Sequence, residues 1–270
     1  MAVSYHALLW AAIFLYTASL FYAVGRLALA RPYHRGAKIA FLLPGFLLHT
    51  AYIWERGLSE GRCPVSSLFE AMTFIAWCLV ALHLAVSLFA QLNYLTVFYM
   101  PIVLIVQLAA MVVPANRPRF VEWQDSSWLG LHASIITLGY AAFGLAGAVA
   151  LMYLVQERQL RTHRLTTSFM LFPPMLRLEN VQAWLVFGGF ILFTAGLLSG
   201  FFGLHVLKMH GWDPKLSWSI GVWGMYLVFL LGRFLAGMQG RWMAWFSLIG
   251  WVFVVSTFWL VNSLSRFHHY

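Results

Sequence analysis

Ten histidines and one tryptophan-rich interruption are the parts of this chain that could do chemistry. Between Ser199 and Trp223 lie His205, His210, Trp212, Trp218 and Trp223, with Trp212-Asp213-Pro214-Lys215 at the centre. Indoles at this density form either a flat platform for a planar ligand or a belt at the membrane–water boundary. A neutral imidazole nitrogen binds transition metals, and a histidine inside an apolar span is costly enough to need a reason. His34 and His163 sit among basic residues and read as solvated. His6, His132, His205, His210, His268 and His269 fall towards one surface, with His49 and His83 deeper.

Depth separates the possible pairs. Two imidazoles gripping one iron from opposite faces place their nitrogens about 4 Å apart, twice a metal–nitrogen bond. His49 is roughly 10 Å from the outer end of its expected span and His83 roughly 24 Å, so a straight-helix geometry keeps them apart. His132 starts its span and His268 follows the last one, so these two can meet at the outer surface. Spacing permits that pair without requiring it. No HExxH or paired-cysteine pattern marks a zinc site. Cys63 and Cys78 are not a CxxC pair; at a helix rise of 1.5 Å per residue they lie beyond the 7 Å or so that a disulfide spans. Cys78 reads as a buried small hydrophobe.

The elements that must position these residues are membrane helices. The chain is 62% apolar and 9% charged, against roughly 25% charged in a soluble domain. Eight apolar stretches fit spans at about 5–27, 39–56, 67–90, 94–113, 128–156, 182–205, 218–236 and 244–262, lengths suited to a bilayer. The expectation is an all-α, polytopic membrane bundle of about eight helices forming one integral domain, residues 1–270. The first stretch lacks a basic leader and a small-residue cleavage site, which reads as a retained span. Connectors one, five and seven hold ten of the seventeen Lys and Arg with only Glu157 and Glu179, a net +8. The opposite side holds seven bases and six acids, a net +1. The positive-inside rule then puts both termini and the tryptophan loop outside. Basic charge on this pattern is topological and implies the lipid bilayer, not nucleic acid, as partner. Pro44, Pro101 and the glycines do not pair across two halves as a transporter's helix breaks do.

Four stretches together resemble the cytochrome c assembly family of membrane haem-handling proteins, the CcsA, CcmC and HemX group. Gly61-Arg62-Cys63-Pro64-Val65-Ser66-Ser67-Leu68-Phe69-Glu70 resembles a G-x-x-P-x-x-N-L-Y-E segment. Leu131-His132-Ala133-Ser134, continuing to Gly139-Tyr140, resembles a histidine-bearing helix start. Ser199-Gly200, Trp212-Asp213-Pro214-Lys215, Trp218 and Trp223 resemble the tryptophan-rich haem-binding loop. Val261-Asn262 with His268 and Tyr270 resembles the C-terminal V-N…H-x-Y.

The resemblance implies non-covalent haem b in transit at the outer face. His132 and His268 would be the axial ligands, with His269 the neighbouring alternative. Trp212, Asp213, Trp218 and Trp223 would lie against the porphyrin, and Lys215, with Arg117 and Arg119 behind it, near the propionates. It also implies a CcsB-type membrane partner, apocytochrome c as recipient, and the bacterial inner membrane as location. The chain would present haem, not as an enzyme by itself but as a candidate subunit of a cytochrome c haem-attachment complex. The sequence departs from the pattern at three places: Phe201, Phe202, Leu204 and His205 replace further loop tryptophans, Arg62 replaces a histidine, and Leu231 replaces another. His49 resembles a histidine of the HemX-like branch and reads as a substitute ligand or a structural residue. A HemX-like regulatory or scaffolding role in haem biosynthesis is the alternative.

Overall fold

The computed structural model describes residues 2–65, 67–92, 94–113, 127–163, 170–206 and 214–256. These form eight helices: α1 (Ala2–Ala28), α2 (Arg35–Glu60), α3 (Leu68–Phe89), α4 (Leu95–Val112), α5 (Ser127–Arg161), α6 (Met175–Val206), α7 (Pro214–Phe234) and α8 (Arg241–Ser256), with no strand among the described residues. By length and composition α1, α3, α4, α5, α6 and α7 can each cross a membrane, while α8 is apolar but shorter. The protein is a polytopic helical membrane bundle.

The helices divide into two groups joined by α5. Helix α1 packs on α2 and α4, and α3 packs on α4; α6, α7 and α8 follow one another round the other side. Helix α5 touches both groups, is the most buried span, and makes its most extensive contact with α6. Small residues permit that closeness. Gly139, Ala142 and Phe143 of α5 meet Gly189 and Phe193 of α6 across the seam, so the two backbones approach as membrane helices do where bulky side chains are absent.

Charge marks the two ends of the bundle. At one end Arg233 meets Glu179 and Asn180, and Arg161 and Arg241 meet Glu157. There Tyr94 donates to the carbonyl of Arg31, and Phe172 is buried with its ring edge-on to Tyr94 and Phe98. Phe172, just before Pro173-Pro174, thus belongs to the core. The opposite end, the outer one in the expected orientation, carries the start of α5.

A closed turn leads into that outer end. Gly61 caps α2 at φ 64°, a left-handed conformation that glycine adopts without strain. Ser67 and Glu70 form a reciprocal capping box that starts α3. Glu70 is buried and accepts from Arg56 (3.1 Å) and Arg62 (3.0 Å), and both arginines also face Glu60. Two bases and two acids leave no net charge. Such a network holds the turn in one shape, since removing one partner would strand a buried charge.

Candidate functional site

His132 sits on the second turn of α5, half-buried against α6. Its Nδ1 lies 2.9 Å from the carbonyl of Gly196 and 3.0 Å from Oγ of Ser199. The Ser199 hydroxyl donates to the same Gly196 carbonyl at 2.7 Å. Nδ1 therefore faces two acceptors, which assigns its proton and leaves the lone pair of the neutral ring on Nε2. That is the arrangement in which an imidazole ligates a metal: one nitrogen tied to a carbonyl, the other basic.

Gly200 forms the floor beneath the ring. A Cβ built there would lie 2.6 Å from Cε1 of His132, so any larger residue displaces the imidazole. Trp128, one turn earlier on the same face of α5, donates from Nε1 to the Ser199 carbonyl at 3.1 Å and lies against Phe202. On its far side the same turn of α5 touches the charge-locked segment, where Sγ of Cys63 lies 3.4 Å from Oγ of Ser134. Cys63 and Cys78 are both free thiols, Cys63 exposed and Cys78 buried.

The tryptophan region is described in part. Pro214 opens α7, at a position where a missing N–H costs no intrahelical bond; the proline starts this helix as well as ending the loop before it. Trp218 stacks on Phe253 of α8 (5.5 Å) and donates to its carbonyl, remaining partly exposed. Trp223, deeper in α7, donates to Oγ1 of Thr194 at 2.9 Å and lies against Phe190. Thus Trp218 holds α7 to α8 and Trp223 holds α7 to α6. Trp212, Asp213, His268, His269, His205's side chain, Lys215's side chain, Arg117 and Arg119 lie outside the described residues.

His49 and His83 occupy a different setting. His49 is fully buried, Nδ1 lying 3.3 Å from the hydroxyl of Tyr16. Its Nε2 is buried with no hydrogen-bond partner among the described residues. Because α2 runs to Glu60, His49 is roughly 17 Å from its outer end, deeper than the sequence suggested. His83 stacks on Tyr99 at 4.2 Å and contacts Ser87. No cluster of three or more metal-ligating side chains occurs among the described residues. Arg62, standing where the resemblance wants a histidine, is held by Glu70, and Leu231 is exposed on α7.

Sequence reasoning missed Trp128, the hydroxyl of Ser199 and the Arg56–Glu60–Arg62–Glu70 network. Two of these had a signal: Trp128 and His132 share a face at i, i+4, and Ser67-x-x-Glu70 reads as a capping box.

The chain is also similar to known proteins. Residues 65–269 match the family described as Cytochrome C assembly protein. "Cytochrome c biogenesis protein CcsA" of Gloeobacter violaceus is 26% identical, over 82% of this chain and 81% of its own. The protein of the same name from Synechococcus sp. is 30% identical over 81% and 79%. That of Mesostigma viride is 25% identical over 79% of each.

Proposed function

The chain belongs to the cytochrome c assembly protein family, and from that premise we propose that it holds haem at the outer face of a membrane for delivery to apocytochrome c. A role in cytochrome c biogenesis follows from its relatives; the haem-holding residues are our reading. The observation that carries it is the anchoring of His132 through Nδ1 to the Gly196 carbonyl and the Ser199 hydroxyl of α6, which puts the proton of the neutral ring on Nδ1 and the lone pair on Nε2.

Haem, when bound, would supply an iron for histidine ligation and vinyl groups for attachment to cysteine thiols. The chain's own residues bind and orient. His132 and His268 would hold the iron, His269 standing next to His268 in sequence. Trp212 and Trp218 offer indole faces to the porphyrin, with Trp223 as the strut that fixes α7 beneath them. Asp213 would lie against the porphyrin with them, and Lys215, Arg117 and Arg119 would supply cations for the propionates. His49, fully buried against Tyr16, serves the bundle. The haem is haem b, held non-covalently. A CcsB-type membrane partner brings the recipient, so the chain is a haem-presenting subunit. The membrane is the bacterial inner membrane, with both termini outside.

Cells lacking this chain and supplied with variants provide the test, read by covalent haem staining of their c-type cytochromes. His132→Ala and His268→Ala should each abolish staining with the protein still inserted, whereas His49→Gln should retain it. Normal staining in the first two variants contradicts the proposal. Loss without any haem co-purifying with the wild type favours the HemX-like scaffolding role.

A further inference from the structure

We infer that Ser199 is a positioning residue for the ligand nitrogen of His132: its hydroxyl, with the Gly196 carbonyl, holds the imidazole as the Nδ1–H tautomer. The inference rests on the reading of His132 as a haem ligand.

The argument is one of hydrogen-bond direction. A serine hydroxyl has one proton to give and lone pairs to receive. Ser199 gives its proton to the Gly196 carbonyl one turn back in its own helix, at 2.7 Å. What it presents to His132 at 3.0 Å is therefore an acceptor, and the carbonyl beside it, at 2.9 Å, is another. Either contact alone would orient the ring loosely; together they form a triangle that only an Nδ1–H satisfies. Gly200 then sets the height of the ring from below.

Ser199 also receives Trp128 on its backbone carbonyl, at 3.1 Å. One residue of α6 thus pins two residues of α5 that are a full turn apart. The serine side chain is dispensable for the Trp128 contact but necessary for the second acceptor at Nδ1. This predicts an electronic effect that simple packing does not. A carbonyl and hydroxyl drawing on Nδ1–H make Nε2 a stronger donor, which stabilises ferric over ferrous iron.

The test compares purified full-length wild type with Ser199→Ala, Ser199→Thr and His132→Ala, loaded with haem. Ser199→Ala should weaken haem binding by roughly tenfold, the lower range for loss of an outer partner of a metal-binding histidine, and shift the midpoint potential upward. Ser199→Thr, which keeps the hydroxyl, should restore both. Independently, ¹⁵N-histidine spectra of the haem-free protein, with the His132 signal identified by its loss in His132→Ala, should show protonated Nδ1 in wild type.

Wild-type affinity and potential in Ser199→Ala overturn the inference, as does an Nε2–H tautomer in the haem-free protein. Weaker binding without a potential shift, unrescued by threonine, marks a packing role and also overturns it. Should Ser199→Ala fail to fold, the tautomer decides. Retention of the haem spectrum in His132→Ala defeats the underlying reading instead, which keeps the two failures distinct.

Discussion

Two histidines in this bundle are each held through Nδ1, yet their surroundings give them opposite prospects. At the outer turn of α5, His132 is tied on one edge to a carbonyl and a hydroxyl of α6, with Gly200 beneath it. In the interior of the α1–α4 group, His49 meets the Tyr16 hydroxyl through Nδ1 and has no exposed surface. The first environment fixes a tautomer on a ring that is only half-buried. The second encloses the whole ring and ties α2 to α1. A histidine in a membrane span is thus not by itself a ligand; its burial and the acceptors around it decide whether a basic nitrogen is within reach of a metal.

The contrast can be broken at several points. The largest effect is expected from Glu70→Ala, which strands Arg56 and Arg62 in a buried site and should cost about 3–5 kcal/mol. Thermal unfolding in detergent reads this loss, and the Glu70→Ala, Arg62→Ala double variant should recover part of it. His49→Ala removes a buried ring and the Tyr16 contact, and should cost about 2–3 kcal/mol while haem content stays at the wild-type level. Haem lost from that variant in a still-folded protein would erase the distinction between the two sites. Gly200→Ala forces the His132 ring to move and should cost about 1–3 kcal/mol as overpacking; its haem binding should fall more than its melting temperature suggests. The smallest effect belongs to Trp223→Phe, which removes the donor to Thr194 and should cost about 1 kcal/mol with haem binding retained.

Much of the architecture was legible because hydrocarbon demands long apolar helices: each expected span coincides with a helix, and six of these are long and apolar enough to cross a membrane. The ends were less legible. Helix α2 runs from Arg35 to Glu60 instead of 39–56, because Arg56 is paired by Glu70, 14 positions on, and Glu60 by Arg62 just past the helix end. Helix α6 begins at Met175, directly after Pro173-Pro174, where prolines suit a first turn. Of the candidate site, His132 and Ser199-Gly200 were visible as family-like residues, but their contact was not. Hydrogen bonds between residues 64 and 67 positions apart leave no periodic trace in a sequence. Trp218 and Trp223 read alike as platform indoles, whereas their five-residue spacing on a helix turns them towards different neighbours.

The most direct test of the central claim is the low-temperature electron paramagnetic resonance spectrum of the haem-loaded ferric protein, in wild type and in the His132→Ala, His268→Ala and His49→Ala variants. A low-spin, bis-histidine signal in wild type and His49→Ala that collapses in both His132→Ala and His268→Ala is the expected result. An unchanged low-spin signal in His132→Ala, or its loss in His49→Ala alone, would place the iron elsewhere in the bundle and contradict the account.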